Sequence, residues 1–213
     1  MAYSVVGIVN MALQRLGAKS RISNITDSDD PNAIKANAVW EYVRDLVIEE
    51  IKPKFATLRI ALAQNATAPV NTEIYDFAYA LPSDYLCLAD DKLNDDPIVW
   101  PSSVAPYIIE TLAANDESLC LMTNYDSTTE SYLIHLTYIK RVTNPQRYTA
   151  SFINALAFRL AAELSFTIAE SAGKFEAMMK LYEMARRKAK ASDMRQDYLA
   201  DEKSSKSWET AGR

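Results

Sequence analysis

The stretch from Ser151 to Ser171 constrains this chain more than any other. Phe152, Leu156, Arg159, Leu160, Glu163, Leu164, Thr167 and Ile168 recur there at three- and four-residue spacings, with Ala155, Ala157, Ala161, Ala162 and Ala169 on the flanks. That period predicts a helix, and its small side chains let neighbouring backbones come close, so other helices are expected on more than one side of it. The segment before it, Arg141 to Tyr148 with Asn144-Pro145 at its centre, reads as a hinge, and Tyr132 to Lys140 before that as an extended strand. The first and last thirds of the chain are helical in pattern and the middle third is strand-like. The long helix is therefore expected to close a bundle that the middle interrupts.

The N-terminal third supplies two more helices. Residues 4 to 16 carry a stripe of Val5, Val6, Val9, Ala12, Leu13 and Leu16, with Ser4 as the N-cap and Gly17 as the stop. A polar stretch from Lys19 to Asp29 follows, anchored only by Ile22 and Ile25. Asp30-Pro31 restarts the helix, since aspartate caps free amides and proline at the first position has none to lose. The expected apolar side of this second helix is Ile34, Ala38, Val39, Tyr42, Val43, Leu46, Val47 and Ile51, with Glu41, Arg44, Asp45, Glu49 and Lys52 opposite and Pro53 as a break. Phe55, Leu58, Arg59 and Leu62 have the spacing of a further helical turn or two.

The character changes at Glu73. Phe77, Tyr79 and Leu81 alternate onto one face, Pro82-Ser83-Asp84 makes a turn, and further strands are expected near Tyr85 to Leu88, Ile98 to Trp100, Tyr107 to Leu112, Leu119 to Thr123 and Tyr132 to Ile139, although Tyr107 to Ile109 also suit a short helix. Short Asn, Asp and Ser clusters between them favour antiparallel pairing, because parallel strands need crossover helices. A final helix, roughly Gly173 to Tyr198, presents Phe175, Met178, Met179, Tyr182, Met184, Ala185 and Ala189 as its apolar face. The reading is an α+β fold: residues 1–72 and 141–199 form a discontinuous helical bundle, residues 73–140 a small antiparallel β-rich insertion, and residues 200–213 a flexible tail that is disordered alone. One large apolar group, Trp208, does not offset the ordering of that tail at about 1 to 2 kcal/mol per residue.

Charge narrows the function. Residues 1–170 hold 21 acidic against 13 basic residues, whereas residues 171–213 hold 7 against 10. A negative body with a weakly positive end is a poor grip for a phosphate backbone. No apolar stretch reaches the roughly 20 residues of a bilayer span, and the N-terminus lacks a signal-peptide pattern. Cys87 and Cys120 sit in apolar strand-like runs and are expected as buried thiols. A soluble protein from a reducing compartment is the expectation.

Catalytic chemistry finds few candidates. His135 is the single histidine and lies opposite the face of Ile134, Leu136 and Tyr138, which suits a surface or structural role. Cys87, Cys120 and His135 lack zinc-ligand spacing, and Asp90, Asp91, Asp95 and Asp96 lack that of a calcium loop. Neither a phosphate loop nor a nucleophile elbow is present. No cofactor, metal or catalytic site is expected. Arg159 and Glu163, four apart, suit an ion pair. The unusual feature is tyrosine: Tyr75, Tyr79, Tyr85, Tyr107, Tyr125, Tyr132, Tyr138 and Tyr148 all fall in the middle region or its exit. Such side chains suit protein interfaces, and they also stack on bases. Lys92 is the only Lys or Arg between residues 60 and 139, which favours the protein interface over a single-stranded nucleic-acid platform.

The order of several short motifs carries a resemblance. Ile8-Val9-Asn10-Met11-Ala12-Leu13-Gln14-Arg15-Leu16-Gly17, Ile22 through Asp27, Arg44-Asp45 and Phe55-Ala56-Thr57-Leu58-Arg59 are followed by Tyr79-Ala80-Leu81-Pro82-Ser83-Asp84-Tyr85, Tyr107-Ile108-Ile109-Glu110 and Tyr138-Ile139-Lys140-Arg141-Val142-Thr143-Asn144-Pro145. The last runs into Phe152, Ala155-Leu156-Ala157 and Leu160-Ala161-Ala162-Glu163-Leu164. Over roughly residues 1–195 this resembles the tail tubular protein A and head-to-tail adaptor family of short-tailed bacteriophages. Phe55 stands where members often carry tryptophan and Asn144 where they often carry aspartate, both mild changes, and nothing after Ala200 matches.

The resemblance implies a structural virion protein without catalysis. Such a protein forms a dodecameric ring beneath the portal, in the neck between portal and tail nozzle, with a channel for DNA. Implied partners are the portal ring, the tail nozzle protein, about twelve copies of itself and a tail fibre protein, with only passing proximity to DNA and no membrane. Before assembly it would be soluble in the host cytoplasm. Arg186, Arg187, Lys188, Lys190 and Trp208 are the candidate portal-docking residues, on basic clustering and an isolated tryptophan. Tyr107, Tyr132, Tyr138 and Tyr148 are the candidate subunit or nozzle interface.

Overall fold

The computed structural model describes residues 3–65, 74–89, 98–99, 106–112, 118–127 and 133–194. The fold is α+β, with four helices and two small antiparallel sheets among the described residues. Helix α1 spans Val5–Leu16; Ser4 accepts from the Gly7 amide at 3.1 Å, and Gly17 ends the helix in the left-handed conformation. Helix α2 spans Pro31–Ile51, capped by Asp30 and ended by Lys52 at φ 51° before Pro53. Both helix starts and both stops fall where their capping residues place them. The intervening stretch is pinned as read: Ile22 is buried and Ile25 packs on the core. Asn10 supplies the tie, its side chain taking the Ile22 amide and donating to the Ile22 carbonyl, each at 2.9 Å.

Helix α3, Ala150–Ile168, is capped by Thr149, and helix α4 runs Ala172–Met194. The other three helices all pack on α3, whose Ala155, Ala157 and Ala161 are fully buried among them. Lysines of neighbouring helices cap two C-termini: Lys174 donates to the Leu16 carbonyl at 2.9 Å and Lys35 to the Thr167 carbonyl at 2.7 Å, where cations meet the negative ends of α1 and α3. By length and composition α3 is apolar enough to cross a membrane, contrary to the sequence expectation; just over half of it is buried inside the protein.

Three expectations need correction. The inward face of α2 is Ala33, Ala36, Trp40, Val43, Arg44, Val47, Ile48 and Ile51, while Ile34 and Tyr42 stand 52% and 60% exposed. The helix carries apolar side chains nearly all round, and burying the indole of Trp40 outweighs burying the smaller Ile34–Ala38 stripe. Residues 55–62 are a short 3-10 turn, Lys54–Ala56, followed by strand β1, Thr57–Ala61, rather than helical turns. Met184 of α4 points away from the core and is exposed.

Strand β7, His135–Lys140, is the centre of the first sheet: β1 pairs with one edge, and β3 (Tyr85–Leu88) and β4 (Ile98–Val99) share the other. In the second sheet β6, Leu119–Thr123, lies between β2, Phe77–Ala80, and β5, Tyr107–Thr111, so Tyr107–Ile109 is strand and not helix. Among the described residues every pairing is antiparallel, as expected, although only β5 and β6 are partners that follow one another in the chain. Two sheets stand where one was expected, and β1 draws in a strand from before Glu73. Leu62, Tyr79, Leu121, Tyr125, Ile134, Leu136 and Tyr138 form a core to which both sheets contribute. Strand β7 joins it to the helical core, because Leu136 and Tyr138 point into the sheet core and Ile139 into the helices.

Candidate interaction surfaces

The hinge is built around Asp45. One carboxylate oxygen accepts from Arg44 Nε and the other from Arg141 Nε, both at 2.7 Å. Arg44 is 4% exposed, so its charge depends on that partner, whereas Arg141 is nearly half exposed. Glu49, one turn further along α2, has its carboxyl pushed up by burial and by the charge of Asp45, with Arg141 opposing. Just beyond, the Tyr148 hydroxyl donates to the Val142 carbonyl at 2.5 Å and closes the loop from 142 to 148. The rings of Phe55, Tyr148 and Phe152 meet with centroids 5.0 to 5.4 Å apart. Along the first half of α3, Arg15 donates to the Asn154 carbonyl at 3.1 Å and to its side-chain oxygen at 2.6 Å, and lies 3.6 Å over the Phe158 ring.

A second polar link joins α2 to α4. The Tyr182 hydroxyl donates to Glu50, which lies 3.8 Å from Arg186. Burial, then the Glu50 bond and charge, push the Tyr182 hydroxyl far above its ordinary value. Arg186 is also held at 2.8 Å by Glu183. Burial alone lowers the Arg186 guanidinium, and the bond and charge of Glu183, with Glu50 and Tyr182, outweigh it and raise it. Arg159 makes the expected pair with Glu163 at 2.6 Å.

This geometry divides the candidate docking cations. Arg186 is turned inward and spent on Glu50 and Glu183, which corrects its assignment as a docking residue: successive side chains on a helix differ by about 100°, so four basic residues in five positions cannot share a face. Arg187 and Lys188 are exposed and Lys190 half-buried. Lys188 lines a groove of about 280 Å³ with Ala150, Ser151, Asn154 and Ala185. Trp208 lies outside the described residues, as do the acidic residues Asp90 to Asp96 and the whole segment 200–213.

The tyrosines need a larger correction. Tyr138 and Tyr148 are 1% and 4% exposed, so neither ring presents an interface in the folded chain. Tyr79 and Tyr125 are buried as well, and Tyr85 and Tyr107 pack against the same sheet core. The polar ends are satisfied inside: Tyr138 donates to Asp84 at 2.9 Å and Tyr79 to the Tyr125 carbonyl at 2.8 Å. These rings fill a small core between sheets. A base-stacking platform would need them at the surface. Tyr132 lies outside the described residues.

His135 is exposed on β7, Cys120 is buried and Cys87 half-buried, and neither cysteine is in a disulfide. Among the described residues no group of three or more His, Cys, Asp or Glu side chains is placed to hold a metal ion. Sequence reasoning missed Asp45, Glu50, Trp40 and Tyr182 as the residues that lock the helices. The adjacent Arg44-Asp45 pair was the one available signal, since an arginine beside an aspartate at a helix position otherwise given to solvent invites a partner from elsewhere in the chain. Compared with known proteins, the sequence matches no protein-family model and no curated protein at a significant level.

Proposed function

We propose that this chain is a structural virion protein, a head-to-tail adaptor that forms a ring of about twelve copies between a portal and a tail nozzle and leaves a channel for DNA. The observation that carries the reading is spatial. The short motifs of the adaptor resemblance are scattered in sequence but meet in the fold: Asp45 binds Arg141, Phe55 packs on Tyr148 and Phe152, Asn10 binds Ile22, and Arg15 reaches Asn154 at the head of the alanine-rich helix. A set of motifs that locks one scaffold is what a structural role requires. On this reading the four helices are the adaptor's bundle and the two sheets its partner-facing region. The acidic body suits a channel wall, which must let DNA slide without gripping it. Portal docking falls to the end of α4 and the segment through Trp208.

Particle composition tests this. The chain is expected in purified tailed particles at about twelve copies, and particles made without it are expected to be filled heads that lack tails and leak DNA. Infectious tailed particles without the chain would refute the proposal.

A further inference from the structure

Among the described residues, two helix faces carry apolar side chains that the core leaves uncovered. On α2 the stripe Ile34, Ala38 and Tyr42 points outward, with the exposed residues Glu41 and Glu49 beside it, the carboxyl of Glu49 also feeling the charge of Arg141. Asp45 lies among them but is already bound to Arg44 and Arg141. On α4 the stripe Ala177, Met184 and Ala191 points outward, with Met184 61% exposed. Within about 60° of Met184 around the helix lie Lys180, Arg187 and Lys188, and no acidic residue. One face is apolar with acidic flanks, the other apolar with basic flanks.

Their dimensions agree. Glu41 and Glu49 are eight residues apart, as are Lys180 and Lys188, which on a helix is about 12 Å in each case. Ala38 leaves a notch between Ile34 and Tyr42, while Met184 stands up between two alanines, so ridge meets groove as in ordinary helix packing. Both faces cannot meet within one molecule, because α2 and α4 each turn their other side to the core.

We infer that the outer face of α2 docks on the outer face of α4 in a second copy of this chain, head to tail, with Glu41 and Glu49 against Lys180 and Lys188. The inference rests on the adaptor reading, since a ring is closed by a heterologous contact of this kind. It assigns Lys180, Arg187 and Lys188 to the neighbouring copy and leaves Lys190 and Trp208 for the portal.

Zero-length carbodiimide cross-linking of an equal mixture of isotopically light and heavy full-length chains at millimolar concentration reads the contact directly. Mixed-isotope links from Glu41 or Glu49 to Lys180 or Lys188 are expected. Glu41→Lys with Glu49→Lys, and separately Lys180→Glu with Lys188→Glu, should each leave a folded chain that stays monomeric in sedimentation, and a mixture of the two variants should associate again. Absence of mixed-isotope links in the wild type, or variants that associate alone as the wild type does, overturns the proposal. A portal ring filled by either charge-reversed variant alone also overturns it while upholding the adaptor reading. Links and charge-swap rescue in a chain that ignores the portal uphold the contact and remove the adaptor.

Discussion

Asp45 shows how unevenly two similar ion pairs contribute. Its bond to Arg141 sits in partial solvent, where such pairs stabilise by less than about 1 kcal/mol, but its bond to Arg44 neutralises a buried guanidinium. Asp45→Ala is therefore expected to cost roughly 3 kcal/mol in urea unfolding and Arg141→Ala less than about 1 kcal/mol. Equal costs would show that Arg44 finds another partner. The buried tyrosines set an alkaline limit. Burial raises the Tyr138 and Tyr148 hydroxyls from 10.0 to about 12, with the Asp84 bond adding to the first, and for the second Arg44 opposing and Asp45 adding. A raised folded value means that the unfolded chain loses its proton first, so this stability is complete below pH 10 and is lost as pH rises towards 12. Each group should account for roughly 1 kcal/mol by pH 11, and Tyr148→Phe should flatten the fall of melting temperature between pH 9 and pH 11 by its share. An unchanged slope would contradict that.

Among the elements, α3 is held by what it lacks. Its alanines at 155, 157 and 161 have no exposed surface, and three helices crowd them. Ala161→Leu is expected to destabilise the protein by about 1 to 3 kcal/mol, whereas Ala38→Leu, on the exposed side of α2, should stay within about 0.5 kcal/mol. Denaturant midpoints at constant slope would measure both, and a neutral Ala161→Leu would mean that the helices stand further apart than this packing has them. This helix was legible in sequence because large and small residues repeat at one period over five turns. So were the starts and stops of α1 and α2, fixed by Ser4, Gly17, Asp30 and Pro53. The inward face of α2 was not, since apolar residues lie on both sides and only the packing of Trp40 and Arg44 selects one. Strand β1 was not either: Phe55, Leu58, Arg59 and Leu62 fit a helical period, and the pairing of Thr57 with Ile139 through Ala61 with His135 overrides it. Of the candidate surface, the basic end of α4 was visible in composition. That Arg186 turns inward, and that tyrosines fill a core rather than an interface, depends on partners distant in sequence.

At the scale of the whole molecule, the helical core and the larger of the sheet clusters share one strand. The ends of the chain build the helical core, the middle builds the sheet core, and β7 enters both through Ile139 on one face and Leu136 and Tyr138 on the other. A scaffold joined in this way would suit the proposed part held between two larger assemblies. Whether this scaffold is the proposed adaptor subunit is decided by the mass of the purified chain, alone and mixed with the portal ring of the same particle. A species near 23.9 kDa at micromolar concentration that joins the portal in about twelve copies is the expected result. A chain that leaves the mass of the portal unchanged, and instead shifts single-stranded DNA at moderate salt, would contradict it.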